Sequence, residues 1–210
     1  MSKRTIVLLK VLVHIACLAP FAVLGFRIQQ SALGPDPTAT IAHATGFAAL
    51  RILVISLAIT PVRRLSPRLG WLVRFRRMLG LYAFFYACVH LLVYLTLYAG
   101  FEWATIAGDL TKRRYIIVGF TAWLLLLPLA LTSTKWSIRK LGKRWQALHR
   151  LVYLAAIGGV IHYWWIVKTG VLDPLKITVL LIVLLLVRPL WSVIDARRRA
   201  VAVGKAGVSA

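Results

Sequence analysis

The chain has 210 residues, of which 60% are hydrophobic, and its mean hydropathy of +0.82 exceeds that of ordinary soluble domains. Its formal charge of +22 comes from 27 Lys and Arg residues against five acidic residues. In a soluble protein this balance would indicate nucleic-acid binding, but here the basic residues cluster between apolar runs, as the positive-inside bias of membrane proteins requires. The composition therefore predicts an all-α polytopic membrane protein without a nucleic-acid partner.

Six apolar runs of about 20 residues, each long enough to cross about 30 Å of hydrocarbon, predict a bundle of six transmembrane helices. In chain order they are Ile6–Phe26, Ile41–Thr60, Met78–Tyr98, Tyr115–Leu131, Ala147–Val167 and Leu175–Ile194. The first run is similar to a signal peptide. However, Lys10 interrupts its apolar core and no A-x-A cleavage site follows, so we interpret it as a retained span. Residues 1–198 form the predicted transmembrane domain, and residues 199–210 form a predicted cytoplasmic tail.

The distribution of Lys and Arg predicts that both termini lie in the cytoplasm. Twenty of the 27 basic residues fall in the N-terminal segment, the 61–78 and 133–150 loops and the C-terminal segment, which places these segments inside. Four of the five acidic residues fall on the other side. The tract Lys112-Arg113-Arg114 departs from the rule on the outer side. It is either tolerated charge, or an outer contact surface or anchor for an anionic group.

The five histidines lie in or beside the predicted spans, where ionisable side chains are costly and point to function. They are His14, His43, His90, His149 and His162. Imidazole is a standard axial ligand of heme iron, and two imidazoles from facing helices form a low-spin electron-transfer site. The histidines are therefore the first candidates for binding a redox cofactor.

His90 and His162 are predicted to lie at similar depth. Fourteen residues, or about 21 Å of helix, separate Arg76 from His90, and thirteen residues, or about 20 Å, separate His149 from His162. Both helices run from inside to outside, so both histidines reach the outer half of the membrane and can ligate one iron. His149 lies near the inner side, where it is a candidate ligand for a second heme.

The inner site is less complete than the outer one. His149 and His162 lie about 140° apart around a straight helix, so their sites differ in azimuth unless Gly158-Gly159 lets the helix deform. The position on the third span opposite His149 falls near Arg76 or Arg77. Neither arginine is a usual heme ligand.

Other polar residues within the spans have both structural and functional interpretations. We interpret His14 as an interhelical hydrogen-bonding residue and His43 as an interfacial residue. Arg51 stands in the middle of the second span, from which snorkelling is difficult, so it needs a buried anionic partner. The spans supply no acid at that depth, so a heme propionate would serve. A backbone or water contact is the alternative.

At these positions the sequence resembles a known family. This family comprises the heme-binding membrane subunits (MsrQ) of the bacterial periplasmic protein-methionine-sulfoxide reductase system, within the wider ferric-reductase-like transmembrane group. The matching segments are Thr60-Pro61-Val62-Arg63-Arg64, Arg76-Arg77-Met78-Leu79-Gly80-Leu81, Tyr86-x3-His90, Lys112-Arg113-x-Tyr115-Ile116-x2-Gly119, Leu131-Thr132-Ser133 and Trp145-x3-His149-Arg150-Leu151-x-Tyr153 with His162 following. They extend over residues 43–191 in the order that the family shows.

The resemblance implies an electron-transfer subunit of the bacterial inner membrane with one or two b-type hemes. It also implies an FMN, whose site the sequence does not locate. Electrons from quinol or a cytoplasmic flavin reductase would pass to a periplasmic molybdopterin-containing catalytic subunit, which reduces methionine sulfoxide in oxidised proteins. The residues implied in cofactor binding are His90, His149, His162, Arg51 and Arg77, and the three histidines would ligate heme iron. The wider group has two histidines on each ligand helix, whereas the third span here has only His90.

Two other functions remain open at this stage. A transmembrane metalloreductase would pass the same electrons to a ferric or cupric ion. A heme-free transporter or scaffold would use the histidines for protons or packing, but the spans lack membrane-embedded acids and obvious broken helices. The outer loops are too short to form a substrate site, so we expect a redox subunit without a catalytic centre of its own.

Overall fold

The computed structural model describes residues 2–167 and 170–208, with the backbone alone for residues 198–208, and all regular structure in this part of the chain is helical. The helices are α1 (Lys3–Gln29), α2 (Pro37–Leu65), α3 (Val73–Val93), α4 (Trp103–Lys112), α5 (Arg114–Leu131), α6 (Lys135–Leu141), α7 (Lys143–Leu148), α8 (Leu151–Ile166) and α9 (Leu172–Val208). A 3-10 helix (Pro67–Leu72) precedes α3, and a π-helical segment (Tyr94–Tyr98) follows it.

The first two helices begin at residues that cap free backbone amides. The Ser2 hydroxyl accepts a hydrogen bond from the Thr5 amide at 3.1 Å, and the Asp36 carboxylate accepts one from the Ala39 amide at 2.9 Å. Pro37, the first residue of α2, needs no amide partner and has a backbone angle already suited to a helix. These caps define the residues at which α1 and α2 begin.

Five helical segments are long and apolar enough to cross a membrane: Lys3–Gln29, Pro37–Leu65, Pro67–Tyr98, Arg114–Leu131 and Leu172–Arg197. They correspond to the first four predicted spans and the sixth. The fifth, Ala147–Val167, is divided between α7 and α8, because the chain turns at His149-Arg150. Helix α8 has 16 residues and is about 24 Å long. The polytopic helical class is thus confirmed, while the six-span count and the orientation of the termini stay predictions.

Helix α2 is the centre of the bundle. It packs along α3 and also contacts α1, α8 and α9. Helix α5 packs mainly against α8 and also contacts α3. Over half of its most apolar segment is buried, against less than a quarter in the four other membrane-length segments. Val54 and Leu57 on α2 meet Ala83 on α3 and Ala156 on α8 in the core. Small residues at these contacts let the helices approach closely.

The predicted cytoplasmic tail continues the last helix. The backbone of residues 199–208 is helical as part of α9, and the last two residues of the predicted tail, Ser209 and Ala210, lie outside the described residues. The division between a membrane domain and a tail stays a prediction.

Candidate redox site

His90 on α3 and His162 on α8 face each other across the bundle. Their ring centres are 5.9 Å apart and their planes lie at 83° to one another. The helix-rise argument predicted that these two side chains would reach the same depth, and the structure brings them together. Ligation of one iron by the pair stays a prediction.

Each of these histidines is held by a backbone carbonyl on a neighbouring helix. His90 Nδ1 lies 2.9 Å from the carbonyl oxygen of Ala42 on α2, and His162 Nδ1 lies 2.7 Å from that of Tyr115 on α5. A carbonyl oxygen only accepts hydrogen bonds, so each Nδ1 carries the proton. The Nε2 atom of each neutral imidazole therefore keeps its lone pair. Metal-ligating histidines almost always have this arrangement, with the other ring nitrogen bound to an acceptor.

A glycine lies under each imidazole, four residues after the carbonyl that binds it. A Cβ atom at Gly46 would stand 3.0 Å from Cε1 and Nδ1 of His90, and one at Gly119 would stand 2.6 Å from the same atoms of His162. An alanine at either position would force the ring to move, by more at Gly119 than at Gly46. The two histidines thus share one docking pattern, which consists of a helix carbonyl and a glycine one turn later.

His149 has the same tautomer at the other end of the ligand helix. Its Nδ1 donates to the carbonyl of Trp145 at 3.0 Å, and its ring stacks on the Trp145 indole with 3.8 Å between centres. The indole N–H in turn donates to the carbonyl of Thr132 at 2.9 Å. Nε2 of His149 is buried and makes no hydrogen bond of normal geometry among the described residues, although the Leu129 backbone lies near the imidazole. A buried, unpartnered acceptor nitrogen is costly in a folded protein unless a ligand uses it.

Of the two arginines predicted near His149, Arg76 is less exposed than Arg77. Arg76 is half-buried and donates to the Thr60 hydroxyl at 3.3 Å. Arg77, the candidate from the family resemblance, lies exposed on the next position of α3. In the described part of the chain, no second imidazole faces His149 from α3.

Arg51 lies on an exposed face of α2, with its guanidinium carbon 5.1 Å above the centre of the Phe47 ring. Nine residues, or about 180° around the helix, separate it from Ala42, whose carbonyl binds His90. The Phe47 ring packs 5.8 Å from that of Tyr163, the residue after His162. The Phe47 and Tyr163 rings thus connect Arg51 to α8, and its role toward a propionate stays a prediction.

The two remaining histidines have hydroxyl partners instead of carbonyls. His14 forms the interhelical hydrogen bond predicted for it, with 2.6 Å between Nδ1 and the Tyr82 hydroxyl. His43 Nε2 lies 3.3 Å from the Tyr163 hydroxyl. Because a hydroxyl both donates and accepts, it does not fix the imidazole tautomer. The partner atom thus separates these histidines from His90, His149 and His162, whose Nδ1 atoms bind carbonyl oxygens.

The basic tract Lys112-Arg113-Arg114 lies beside the site. Arg113 Nε pairs with the Asp109 carboxylate at 2.9 Å, and the same carboxylate accepts a hydrogen bond from the Tyr94 hydroxyl at 3.0 Å. Arg113 Nη1 also donates to the Tyr115 hydroxyl at 3.3 Å. This network joins the segment after His90 to the start of α5, where the Tyr115 carbonyl binds His162.

The donor set fits the heme that the resemblance implies. His90 and His162 supply two neutral imidazoles with fixed tautomers from different helices, which is the ligand set of a low-spin electron-transfer heme. His149 supplies a third nitrogen of the same kind at the far end of the ligand helix. Among the described residues, His149 is the one imidazole at this end of the helix, whereas a bis-imidazole heme would need two.

Comparison with known proteins identifies the family for most of the chain. Residues 45–160 match the family described as ferric reductase like transmembrane component. A relative from Xanthomonas oryzae pv. oryzae (strain MAFF 311018), named protein-methionine-sulfoxide reductase heme-binding subunit MsrQ, is 49% identical over 203 residues, which cover 94% of this chain and 92% of the relative.

Relatives of the same name extend the match to other bacteria. The one from Xanthomonas campestris pv. campestris (strain 8004) is 48% identical over 206 residues and 94% of each chain. The one from Herminiimonas arsenicoxydans is 46% identical over 195 residues, which cover 91% of this chain and 88% of the relative. The chain therefore belongs to the MsrQ family of heme-binding subunits, within the ferric reductase like transmembrane proteins.

Proposed function

We propose that the protein is the electron-transfer subunit of a periplasmic protein-methionine-sulfoxide reductase system in the bacterial inner membrane. It would pass quinol electrons across the membrane to a molybdopterin-containing catalytic subunit that repairs oxidised proteins. The observation that carries this proposal is the matched pair of carbonyl-bound imidazoles, His90 and His162. The names of the relatives, which state heme binding and methionine sulfoxide reduction, support the cofactor and the partner.

A b-type heme bound between the two imidazoles would supply a carrier of single electrons. The role of the protein would be to hold the two Nε2 atoms in place, so that the ligands move little when the heme gains or loses an electron. The carbonyls of Ala42 and Tyr115 do this, because they fix the tautomer and the direction of each ring. Gly46 and Gly119 let the rings lie flat on the adjacent helices.

Electrons would enter at the end of the bundle where His149 lies. Its unpartnered Nε2 is the natural point for a second redox group, either an inner heme with an unusual second ligand or an FMN. The family resemblance implies the FMN, and nothing in the described residues locates it. The donor would be a membrane quinol or a cytoplasmic flavin reductase, because the basic α6–α7 region beside His149 offers a surface to either.

Electrons would leave at the outer end, which is closed by α4 and the start of α5. The Asp109–Arg113 pair lies in this region, and Arg113 also donates to the hydroxyl of Tyr115, whose carbonyl binds His162. The neighbouring Lys112 and Arg114 are exposed and offer positive charge to a periplasmic partner. Electrostatic complementarity of this kind speeds encounter more than it strengthens binding.

The proposal is tested with the protein in vesicles that contain a short-chain quinol and the co-purified periplasmic subunit. We expect quinol oxidation coupled to reduction of methionine sulfoxide in a test protein. We also expect His90→Ala or His162→Ala to abolish this coupling. His43→Ala is the matched control, since His43 has a hydroxyl partner and lies on another helix, and it should retain most of the activity.

The same vesicles separate this function from that of a metalloreductase. If the protein alone reduces a ferric chelate outside the vesicles as fast as it supplies electrons for sulfoxide reduction, the metalloreductase assignment is correct. If quinol reduces the heme but no electrons reach methionine sulfoxide when the partner is present, the proposed partner is wrong.

A further inference from the structure

A second polar site lies at the same end of the bundle as His149, in a cleft between α2, α8 and α9. It is a cavity of about 190 Å³ lined by Thr60, Pro61, Arg64, Tyr153, Arg188 and Trp191. Arg188 stands 16 residues into α9 and is half-buried within the cleft. None of the redox steps described above uses this cavity.

The Arg188 guanidinium is anchored from two sides. One Nη donates to the carbonyl of Leu57 at 2.7 Å, and the other donates to the hydroxyl of Tyr153, whose ring lies 4.9 Å from the guanidinium carbon. Its Nε–H is buried and has no hydrogen-bond partner among the described residues. A guanidinium that is fixed in this way holds its remaining N–H donors in place for an acceptor.

The cavity is rich in positive charge and poor in negative charge. Arg64 and Arg188 both line it, and Arg76 approaches it through its hydrogen bond to Thr60. No lining residue is acidic, and the nearby carboxylate of Asp195 pairs with Arg64 at 3.3 Å in a partly exposed position. Arg64 thus has one carboxylate partner, whereas the half-buried Arg188 has hydrogen bonds only to neutral groups among the described residues. A cationic side chain held in a membrane helix bundle without an anion is costly. The arrangement therefore calls for an anionic ligand.

The shape and position of the cleft favour a phosphate group. Phosphate takes paired hydrogen bonds from guanidinium donors, and hydroxyls such as those of Thr60 and Tyr153 complete its coordination. The Trp191 ring, 5.6 Å below the Arg64 guanidinium, adds an apolar wall of the kind found at membrane interfaces. Basic pockets between transmembrane helices at this depth bind the head groups of anionic phospholipids.

We propose that Arg64 and Arg188 form a binding site for the phosphate of an anionic phospholipid, wedged between α2, α8 and α9. The site lies beside the region where electrons are proposed to enter, because Tyr153, which lines it, stands four residues after His149. Occupancy fixes the spacing of the three helices there. The inference rests on the cavity alone and does not depend on the redox function.

Native mass spectrometry of the purified protein, exchanged into neutral lipid with a titrated fraction of phosphatidylglycerol, tests the site. We expect one tightly bound phosphatidylglycerol, and about fivefold weaker binding in Arg64→Gln and in Arg188→Gln. Arg63→Gln is the matched control, because it removes the same charge one residue away on an exposed face outside the cavity. It should bind the lipid like the unchanged protein.

Several results would overturn the proposal. Equal loss of lipid in Arg63→Gln would show diffuse attraction to a basic surface. Unchanged lipid binding in Arg64→Gln would exclude the site even if Arg188→Gln fails to fold. Thermal stabilisation in detergent by low-millimolar inorganic phosphate, at constant ionic strength, would assign the site to a soluble anion. Loss of heme from folded Arg188→Gln would assign the guanidinium to a heme carboxylate.

Discussion

Replacing Gly119 with alanine is expected to displace His162 from the heme while leaving the bundle intact. The new Cβ atom would stand 2.6 Å from Cε1 and Nδ1 of the imidazole, whereas carbon atoms in contact prefer about 3.5 to 4.0 Å. The ring must therefore move by about 1 Å. That movement stretches the 2.7 Å hydrogen bond from Nδ1 to the carbonyl of Tyr115 beyond useful length.

The cost has two parts. Overpacking a close helix contact costs about 1–3 kcal/mol, and losing the hydrogen bond adds about 1 kcal/mol. A total of about 2 kcal/mol or more corresponds to heme binding that is about 30-fold weaker or worse. The equivalent change at Gly46 should cost less, because its Cβ would stand 3.0 Å from His90 and needs a smaller shift.

The assay is titration of heme into apoprotein in detergent, followed by visible absorbance, with circular dichroism to confirm that the helices form. Gly80→Ala on α3 is the control, because nothing lies within 4 Å of a Cβ atom at that position. We expect affinity to fall in the order Gly80→Ala, Gly46→Ala, Gly119→Ala. Wild-type affinity and an unchanged spectrum in Gly119→Ala would refute the docking pattern.

Three further outcomes follow from the site. Arg51→Leu should weaken heme binding or shift the heme potential if the guanidinium neutralises a propionate, and an unchanged redox titration would remove Arg51 from the site. His149→Ala should keep the His90–His162 heme but slow its reduction by a donor on the cytoplasmic face. Stopped-flow kinetics in oriented vesicles measures this effect, and wild-type rates would show that His149 only packs. Trp145→Phe keeps the stacking on His149 but loses the hydrogen bond to the Thr132 carbonyl, so thermal unfolding should show a loss of about 1 kcal/mol.

Hydropathy located the long helices well, because a run of about 20 apolar residues is rarely found outside membrane-spanning helices. It does not show where a turn of the chain divides an apolar run, as at His149-Arg150, which leaves α8 with 16 residues; the six-span count stays a prediction. It also missed the short helix α4, whose 10 residues include charged ones and form no apolar run. Nor did it predict which helix is central. Helix α1 is more hydropathic than α2 but far less buried, since burial in a membrane bundle depends on neighbours.

The depth of the histidines followed from the rise per residue, and so did the approach of His90 to His162. The hydrogen-bond partners of the two imidazoles could not be predicted from the sequence. The carbonyls of Ala42 and Tyr115 belong to other helices, and the sequence does not specify how those helices are rotated about their axes. The position of Gly46 within an apolar span was the available signal for a close contact there, since small residues mark close contacts between membrane helices. The sequence does not decide whether Arg76 or Arg77 lies nearer to His149. Consecutive residues differ by about 100° in direction around α3, and the rotation of the helix is not known from the sequence.

The central claim is that His90 and His162 ligate one and the same iron. It is tested most directly by heme stoichiometry and low-temperature electron paramagnetic resonance of the purified protein and of three variants. The account predicts that His90→Ala and His162→Ala each lose the same bis-imidazole signal and one heme per protein, and that His43→Ala loses neither. A full and unshifted reduced-heme spectrum in either of the first two variants would contradict it.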